Sequence, residues 1–154
     1  MEHTIRRAQA QDIPDLLRLY AYMSGRETPA APEAISAVFA EIAANPNQHL
    51  LAARCDGVVR SSVTVSILPS LTHGGRPYAV VEHVVTDPDF GGRGLASALL
   101  REAEKAAREA GCYKIMLITS RAGAHVHHLY QKAGCHSEGL TAYANYLDEE
   151  KTNI

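Results

Sequence analysis

A cluster of glycines between an apolar segment and a helical pattern is the part of the sequence with the clearest chemistry. Residues 80–96 read VVEHVVTDPDFGGRGLA, so Gly91, Gly92 and Gly94 follow an Asp-Pro turn and precede an amphipathic helix. Glycine has no Cβ, and the backbone can therefore curve and direct several N–H groups at one point. The first turn of the helix adds unpaired N–H groups and the positive end of the helix dipole. The pattern predicts a site for a phosphate or diphosphate group.

The spacing of these glycines differs from that of two common nucleotide-binding motifs. The run Gly91-Gly92-Arg93-Gly94 does not follow G-x-G-x-x-G, and no Gly-Lys-Ser or Gly-Lys-Thr comes after it. A glycine cluster before a helix is also compatible with a simple flexible turn that caps the helix. The glycines alone do not distinguish a phosphate site from a helix-capping turn, and the rest of the sequence is needed for that.

The elements on either side of the glycines are a strand and a long helix. Residues 78–86 are apolar on both faces, as in a central strand of a sheet. The helix after the loop is expected to end at Gly111. Its predicted buried positions are Leu95, Leu99, Ala103, Ala106 and Ala110. A second strand over residues 113–119 and a short helix ending at Gly134 follow.

The N-terminal half predicts three more strands and two helices. A strand over residues 4–7 precedes a helix that starts near Ile13, with Asp12 as its candidate cap, and a second helix ends at Asn45-Pro46. Residues 49–54 and 58–68 form a hairpin around Asp56-Gly57. In the second of these strands apolar residues alternate with polar ones, which predicts one solvated face. Residues 141–147 are a candidate last strand.

The resulting order, βααβββαβαβ, predicts a mixed α/β (α+β) fold in which a mixed central sheet carries helices on both faces. A chain of 154 residues is long enough to bury one core without metals or disulfides. We therefore expect one domain over residues 1–154.

Composition limits the class of partner. Lys and Arg number 15 and Asp and Glu number 17, for a formal net charge of −2 without a basic run, so a nucleic-acid partner is not expected. Cys55, Cys112 and Cys135 lack the spacing of zinc or redox sites and are interpreted as reduced packing residues. No apolar run approaches the roughly 20 residues that cross a bilayer, and no signal peptide is recognisable. A cytoplasmic protein without a membrane partner is expected.

Three motifs together resemble a known family. The segments VVTDPDFGGRGLASALL, GCYKIMLIT and HHLYQKAG, within residues 80–135, are similar to the acetyl-CoA-binding core of the GNAT-type N-acetyltransferases. The loop pattern of that family, Gln/Arg-x-x-Gly-x-Gly/Ala, falls on residues 91–96. Gly94 and Ala96 match it, whereas Gly91 stands where the family has a long side chain. Within the family the small glucosamine-6-phosphate N-acetyltransferases are the most similar, although they usually carry Glu-Asp where this chain has Glu82-His83.

The resemblance implies a fold and a co-substrate. The fold is a GNAT fold whose middle strands splay apart around Val84 and Ile115 to admit the pantetheine arm of acetyl-CoA, with no metal involved. The diphosphate is expected to be held by main-chain N–H groups. The implied cofactor-binding residues are Val84, Val85, Thr86, Gly91, Gly92, Arg93, Gly94, Leu95, Ala96 and Ser97.

Two side chains are candidates for the proton transfers of amine acetylation. Tyr130 lies where the family places a tyrosine near the thioester sulfur, and a phenol with a pKa of about 10 is protonated at neutral pH. It is the candidate acid, the alternative being a ring that packs under the sheet. Glu82, in the central strand, is the candidate base, directly or through a water. The alternative is a structural ion pair or hydrogen bond, and the adjacent His83 is expected to point the other way.

Three polar features of the C-terminal part fit the predicted site less directly. His125, His127 and His128 lack a further metal ligand at a companion spacing and are interpreted as an exposed start of the short helix. Gly123 replaces an asparagine of many family members. Lys132 is either a phosphate contact or a solvated helix charge.

The expected activity is transfer of an acetyl group from acetyl-CoA to a primary amine of a small molecule, by direct attack in a ternary complex. An amino-sugar-phosphate N-acetyltransferase and a non-catalytic acyl-CoA sensor remain as alternatives, together with an interaction module whose glycine loop is only a turn. A homodimer is expected from the resemblance and from the apolar tail residues Tyr143, Tyr146 and Leu147.

Overall fold

Five strands form one mixed sheet in the computed structural model, which describes residues 2–24, 30–121 and 123–144. The chain divides into two compact units, Met1–Leu117 and Ile118–Ile154. The sheet and three α-helices belong to the first unit, and one α-helix belongs to the second. The predicted fold class is confirmed. Among the described residues no helix is long and apolar enough to cross a membrane.

From the first strand to the last described helix, the elements follow the predicted order. They are β1 (Thr4–Arg7), α1 (Ile13–Ser24), α2 (Pro32–Ala44), β2 (Gln48–Cys55), β3 (Val58–Leu68), β4 (Tyr78–Thr86), α3 (Leu95–Glu109), β5 (Ile115–Leu117) and α4 (Ala124–Lys132). The sheet order is β1-β2-β3-β4-β5, antiparallel except for the parallel pair β4 and β5. The hairpin between β2 and β3 turns at Asp56 and Gly57, whose φ angles of 51° and 78° are those of the predicted two-residue turn.

Helices cover both faces of the sheet. Leu16 and Leu19 of α1 pack with sheet residues such as Ala52 and Val85, and side chains of α2 border this cluster. Val65 and Val81, which are directly paired and almost fully buried, point to the opposite face. Helix α3 packs against β2, β3 and β4 on that face.

Burial of the sheet on both sides overturns one expectation. The polar residues that alternate along β3 include Ser62 and Thr64, which the pattern places on a solvated face, yet their exposed fractions are 0% and 6%. Because α1 lies over β3, hydroxyl side chains are enclosed there rather than wetted. Val63 and Val65 alternate with Ser62 and Thr64 as predicted. A register shift near Val59, however, places that residue in the cluster under α1, with Ala52, the direct partner of Ser62. The sequence also does not show which faces helices will cover.

Other expectations need smaller corrections. The buried stripe of α3 ends on Ala107, while Ala106 is only half-buried and Ala110 is exposed. Asp12 does not cap α1: it lies in a short 3-10 turn and its carboxylate accepts the N–H of Gln9, which precedes it. Residues 141–144 are not in a strand, and the rest of the predicted last strand, 145–147, lies outside the described residues.

Candidate functional site

The glycine loop has the geometry of an anion site. Gly92 and Gly94 have φ angles of 70° and 81°, in the left-handed region that favours glycine. Gly94 is the residue that precedes α3, and the first helical hydrogen bond runs from the N–H of Ala98 to the carbonyl oxygen of Gly94 at 2.9 Å. The amides of residues 95–97 thus have no acceptor within the helix. Several backbone donors lie together at the positive end of a 15-residue helix.

The space in front of these amides is open within the first unit. No heavy atom lies within 4 Å of where a Cβ on Gly92 or Gly94 would stand. The first turn of α3 contains no acidic side chain that would offset the helix dipole. A phosphate or diphosphate could therefore approach the backbone closely and accept several hydrogen bonds.

The strand that leads into the loop has an unpaired half. β4 pairs with β5 only through Ala79, Val80 and Val81, and the last pair joins Val81 to Leu117. In the described residues, the segment 82–86 has a partner strand only on the β3 side. The predicted separation of the two middle strands at Val84 agrees with this register. Ile115, however, is paired with Ala79, so β4 and β5 separate after Leu117 rather than at Ile115.

A β-bulge lies in this unpaired half. Ser62 of β3 faces Val85 and Thr64 faces Glu82, so His83 and Val84 together oppose the single residue between them on β3. His83 adopts a φ of 52°, which is unusual for a residue other than glycine. Such local strain persists where the surrounding structure enforces it.

The bulge decides which residues share a face with Glu82. Directly opposed residues of an antiparallel pair share a face, so Glu82 lies on the face of Thr64 and Ser62. The extra residue places Val85, not Val84, on that same face. Glu82 is exposed, and its carboxylate is accessible to a ligand.

Tyr20 of α1 is a further side chain at this place that sequence reasoning did not single out. Its phenol lies beside the hydroxyls of Ser62 and Thr64, and burial raises the pKa of Tyr20 despite these hydrogen-bonding neighbours. The His83 ring lies 5.6 Å from the Tyr20 ring, centroid to centroid. His83, expected to point away from Glu82, therefore turns toward α1. The face that carries Glu82 presents a protonated phenol and an imidazole next to the open half of β4.

Asp87, directly after β4, is buried and held by two arginines. Its Oδ2 accepts hydrogen bonds from Arg18 Nη1 of α1 at 2.7 Å and from Arg60 Nη1 of β3 at 2.9 Å. Burial alone would raise the pKa of Asp87, but the hydrogen bonds from Arg18 and Arg60 outweigh it and lower that pKa. Asp87 is thus a fixed anion at the start of the glycine loop.

Two guanidinium groups lie over one aromatic ring of the loop. Arg60 Cζ lies 4.3 Å and Arg93 Cζ 4.6 Å from the centroid of Phe90. Arg93 Nη2 also donates to the carbonyl oxygen of Asp89 at 3.0 Å. Arg93, a predicted cofactor contact, is exposed, and its charge lies beside the loop.

The second unit contains the candidate acid. Tyr130 lies on α4 and is half-buried. Burial raises the pKa of Tyr130 although the charge of Arg121 acts in the opposite direction. The phenol is accordingly protonated at neutral pH, as a proton donor must be.

The start of α4 gives a local reason for the glycine at position 123. A Cβ on Gly123 would lie 2.7 Å from Cε1 of His125, so an asparagine there would require the imidazole to move. His125, His127 and His128 are exposed. In the described parts of the chain, no group of three or more His, Cys, Asp or Glu side chains could hold a metal ion.

Comparison with known proteins connects this geometry to a family. The family model described as "Acetyltransferase (GNAT) family" matches residues 12–135. The glucosamine 6-phosphate N-acetyltransferase of Trypanosoma brucei brucei is 39% identical over 64 residues, which cover 42% of this chain and 44% of that protein. The chain thus matches less than half the length of that relative.

Two further relatives are matched over more of their length. A rice protein (Oryza sativa subsp. japonica), provisionally named glucosamine 6-phosphate N-acetyltransferase 2, is 31% identical over 119 residues, covering 73% of this chain and 71% of that protein. A solved structure from Agrobacterium tumefaciens str. C58, provisionally named an acetyltransferase, is 34% identical. It has a TM-score of 0.85 and covers 93% of this chain and 99% of its own.

Proposed function

This chain belongs to the acetyltransferase (GNAT) family, and from that premise we propose that it transfers the acetyl group of acetyl-CoA to a primary amine of a small molecule, which attacks directly within a ternary complex. The family membership makes it an acetyl-CoA-dependent acyltransferase. We propose, beyond the family, the class of the acceptor, direct attack within a ternary complex and the roles of individual residues.

The observation that carries the proposal is the continuity of the glycine loop with the unpaired half of β4. Amides of residues 92–97 gather at the start of α3, where they suit the diphosphate. Residues 84–86 lie in the half of β4 that lacks a partner strand on its β5 side. Backbone groups there are free to bond an extended amide chain such as pantetheine. We assign acetyl-CoA to residues 84–86 and 91–97.

The chemistry requires two proton transfers. The amine nitrogen forms a bond to the thioester carbonyl carbon, the C–S bond breaks, the amine loses a proton and the CoA thiolate gains one. We assign the first transfer to Glu82, directly or through a water, since its exposed carboxylate lies in the unpaired half of the central strand. We assign the second to Tyr130, whose raised pKa keeps the phenol protonated.

A second acceptor class has a specific observation in its favour. Two curated relatives carry the name glucosamine 6-phosphate N-acetyltransferase. An amino-sugar phosphate is a small primary amine and therefore falls within the proposed class. Glucosamine-6-phosphate N-acetyltransferases usually carry Glu-Asp where this chain has Glu82-His83. This difference is the reason to test other classes of amine as well.

The direct test measures CoA release from acetyl-CoA in the presence of amino sugars, amino-sugar phosphates, polyamines, amino acids and peptides. A small-molecule amine should stimulate release, and lines of initial rate at several amine concentrations should intersect in a double-reciprocal plot. Parallel lines would indicate an acetyl-enzyme and reject direct attack. Binding of acetyl-CoA without release by any amine would favour the sensor instead.

The role of Glu82 is tested separately by Glu82→Gln, which keeps the shape of the side chain and removes its basicity. If Glu82 accepts the amine proton, kcat should fall while the dissociation constant of acetyl-CoA stays the same. Equal kcat in the two proteins would assign proton removal to solvent or to another group.

We also propose one acetyltransferase domain, a homodimer and a cytoplasmic location. The family match at residues 12–135 extends across both compact units, which supports one domain. Tyr143, which is 91% exposed, offers apolar surface for a second copy; Tyr146 and Leu147 lie outside the described residues. Three free cysteines suit a reducing compartment. Light scattering should give twice the 16.7 kDa of one chain, and a monomer at micromolar concentration would refute the dimer.

A further inference from the structure

We propose that Asp87 is a positioning residue for the glycine loop: held by Arg18 of α1 and Arg60 of β3, it fixes the start of the loop so that the amides of residues 92–97 are aligned before a diphosphate arrives. This inference rests on the proposed function, because it takes acetyl-CoA as the ligand of the loop. Asp87 itself is 2% exposed and is not assigned a contact with the ligand.

Asp87 is bonded through both its side chain and its backbone. Its Oδ2 accepts from Arg18 Nη1 at 2.7 Å and Arg60 Nη1 at 2.9 Å, and its Oδ1 accepts from the N–H of Asp89 at 3.1 Å. Its own N–H donates to the carbonyl oxygen of Arg60 at 2.7 Å, and the N–H of Phe90 donates to its carbonyl oxygen at 2.8 Å. These bonds fix the direction in which the chain leaves β4.

The fixation continues toward the glycines. The N–H of Gly91 donates to the carbonyl oxygen of Pro88 at 3.3 Å, which closes the short turn that Asp87 starts. The same Arg60 that binds Asp87 lies over the Phe90 ring, and the guanidinium of Arg93, the residue before Gly94, lies over that ring too. A continuous set of contacts therefore runs from the buried carboxylate through Arg60 and Phe90 to Arg93, which adjoins the last glycine of the loop in sequence.

Arg18 is itself anchored in the body of the first unit. Arg18 Nη2 donates to the carbonyl oxygen of Val59 at 3.0 Å, and Asp15 of α1 accepts the N–H of Val59 at 2.9 Å. Helix α1 and the start of β3 are thereby joined at the place where Asp87 docks. The loop is held by secondary structure on two sides, rather than by its own residues alone.

Alignment of this kind acts on binding more than on chemistry. A loop that must be ordered when the ligand binds loses conformational entropy at that moment, whereas a loop ordered beforehand does not. Loss of the anchor should therefore weaken acetyl-CoA binding and leave the proton transfers, which involve other residues, nearly unchanged.

The same unit contains a matched control. Asp12 is fully buried, and like Asp87 it is paired with two arginines, Arg6 and Arg54. Burial opposes ionisation of both carboxylates and hydrogen bonds from arginine outweigh it, so the pKa of each is lowered. Asp12 precedes α1, and the described partners of its carboxylate are Arg6, Gln9 and Arg54, all remote in sequence from the loop. Its loss therefore reproduces the cost of disrupting a buried ion pair without the positioning effect.

The experiment compares the wild-type chain with Asp87→Asn and Asp12→Asn by calorimetric titration of acetyl-CoA, steady-state kinetics and urea unfolding. Both variants should lose stability. Only Asp87→Asn should raise the dissociation constant and the KM of acetyl-CoA, by about 10-fold, with kcat within about 3-fold of wild type. Arg18→Gln, whose contact with the loop among the described residues is through Asp87, should raise the dissociation constant by a smaller factor. This variant serves if Asp87→Asn does not fold.

The outcomes separate this inference from the proposed function. If the wild-type chain does not bind acetyl-CoA, the proposed function fails and the inference fails with it. If the wild type binds acetyl-CoA, and both Asp87→Asn and Arg18→Gln bind it as tightly as Asp12→Asn does, the function stands and Asp87 is only a structural residue. A drop in kcat at unchanged KM would also overturn the positioning role.

Discussion

Replacing Gly94 by valine tests the cofactor loop most directly, because the structure separates two effects of that change. The first effect is backbone strain. Gly94 has a φ of 81° and a ψ of 3°, and a β-branched residue in this left-handed region costs about 1–3 kcal/mol of stability. The second effect concerns the ligand, since the new side chain enters the open space before the first amides of α3.

The magnitude of the second effect follows from close approach. Apart from its two chain neighbours, no heavy atom of the described residues lies within 4 Å of the Cβ position, so the isopropyl group enters space that is open to a ligand. If it prevents one or two of the expected amide hydrogen bonds to the diphosphate, the dissociation constant of acetyl-CoA should rise at least about 10-fold, equal to about 1.4 kcal/mol.

The chain provides a control for the strain. Gly111, after the other end of α3, has a φ of 75° and likewise no heavy atom within 4 Å of its Cβ position. Gly111→Val should therefore lose a similar amount of stability in urea unfolding and keep the wild-type affinity for acetyl-CoA in calorimetry. Equal affinities in the two variants would refute the placement of the diphosphate at the start of α3.

Three further outcomes are expected. Tyr130→Phe should lower kcat by roughly 10- to 100-fold, about 1.4 to 2.7 kcal/mol, with the dissociation constant of acetyl-CoA unchanged; unchanged kcat in a thiol-release assay would contradict the role of its hydroxyl. His83→Gly should be more stable than His83→Ala by about 1 kcal/mol in urea unfolding, because only glycine adopts a positive φ without strain; the reverse order would show that the bulge relaxes. Asp12→Asn should lower the free energy of unfolding by about 3 kcal/mol near neutral pH. Folding lowers the pKa of Asp12. The difference between variant and wild type should therefore be complete above the unfolded pKa of about 3.9 and shrink as the pH falls below that value. A difference that does not change between pH 6 and pH 3 would show that the carboxylate is not preferentially ionised in the folded chain.

Short-range patterns accounted for most of the fold. The hairpin at Asp56-Gly57 and the limits of β3 and β4 depend on neighbours in the chain, and the structure has them where the sequence predicts them. The helix expected to begin near Arg93 begins two residues later, at Leu95. The solvated face predicted for β3 was wrong because it depends on α1, which folds over the strand from about 40 residues away.

In the predicted site, too, features set by neighbouring residues were predicted and features set by tertiary packing were not. The glycine loop was recognisable because its chemistry lies in consecutive residues. Arg18, Arg60 and Tyr20 were missed because each is brought to β4 by tertiary packing, and an arginine or tyrosine on a helix or strand carries no local signal of its partner. The direction of His83 was predicted wrongly because strict alternation along β4 fails at the bulge, which is visible only in the pairing with β3 and in the positive φ of His83.

The two-to-one pairing of arginines with Asp87 implies an unequal tolerance to substitution during evolution. When either arginine is lost, the carboxylate keeps one cationic partner, and a later change can restore the second. When the carboxylate is lost, two guanidinium groups face each other around a position that no longer carries a negative charge, and no single change at Arg18 or Arg60 restores the anchor. Related sequences should therefore accept substitutions at the two arginines more often than at the aspartate. Saturation mutagenesis at the three positions would compare how many substitutions each one tolerates.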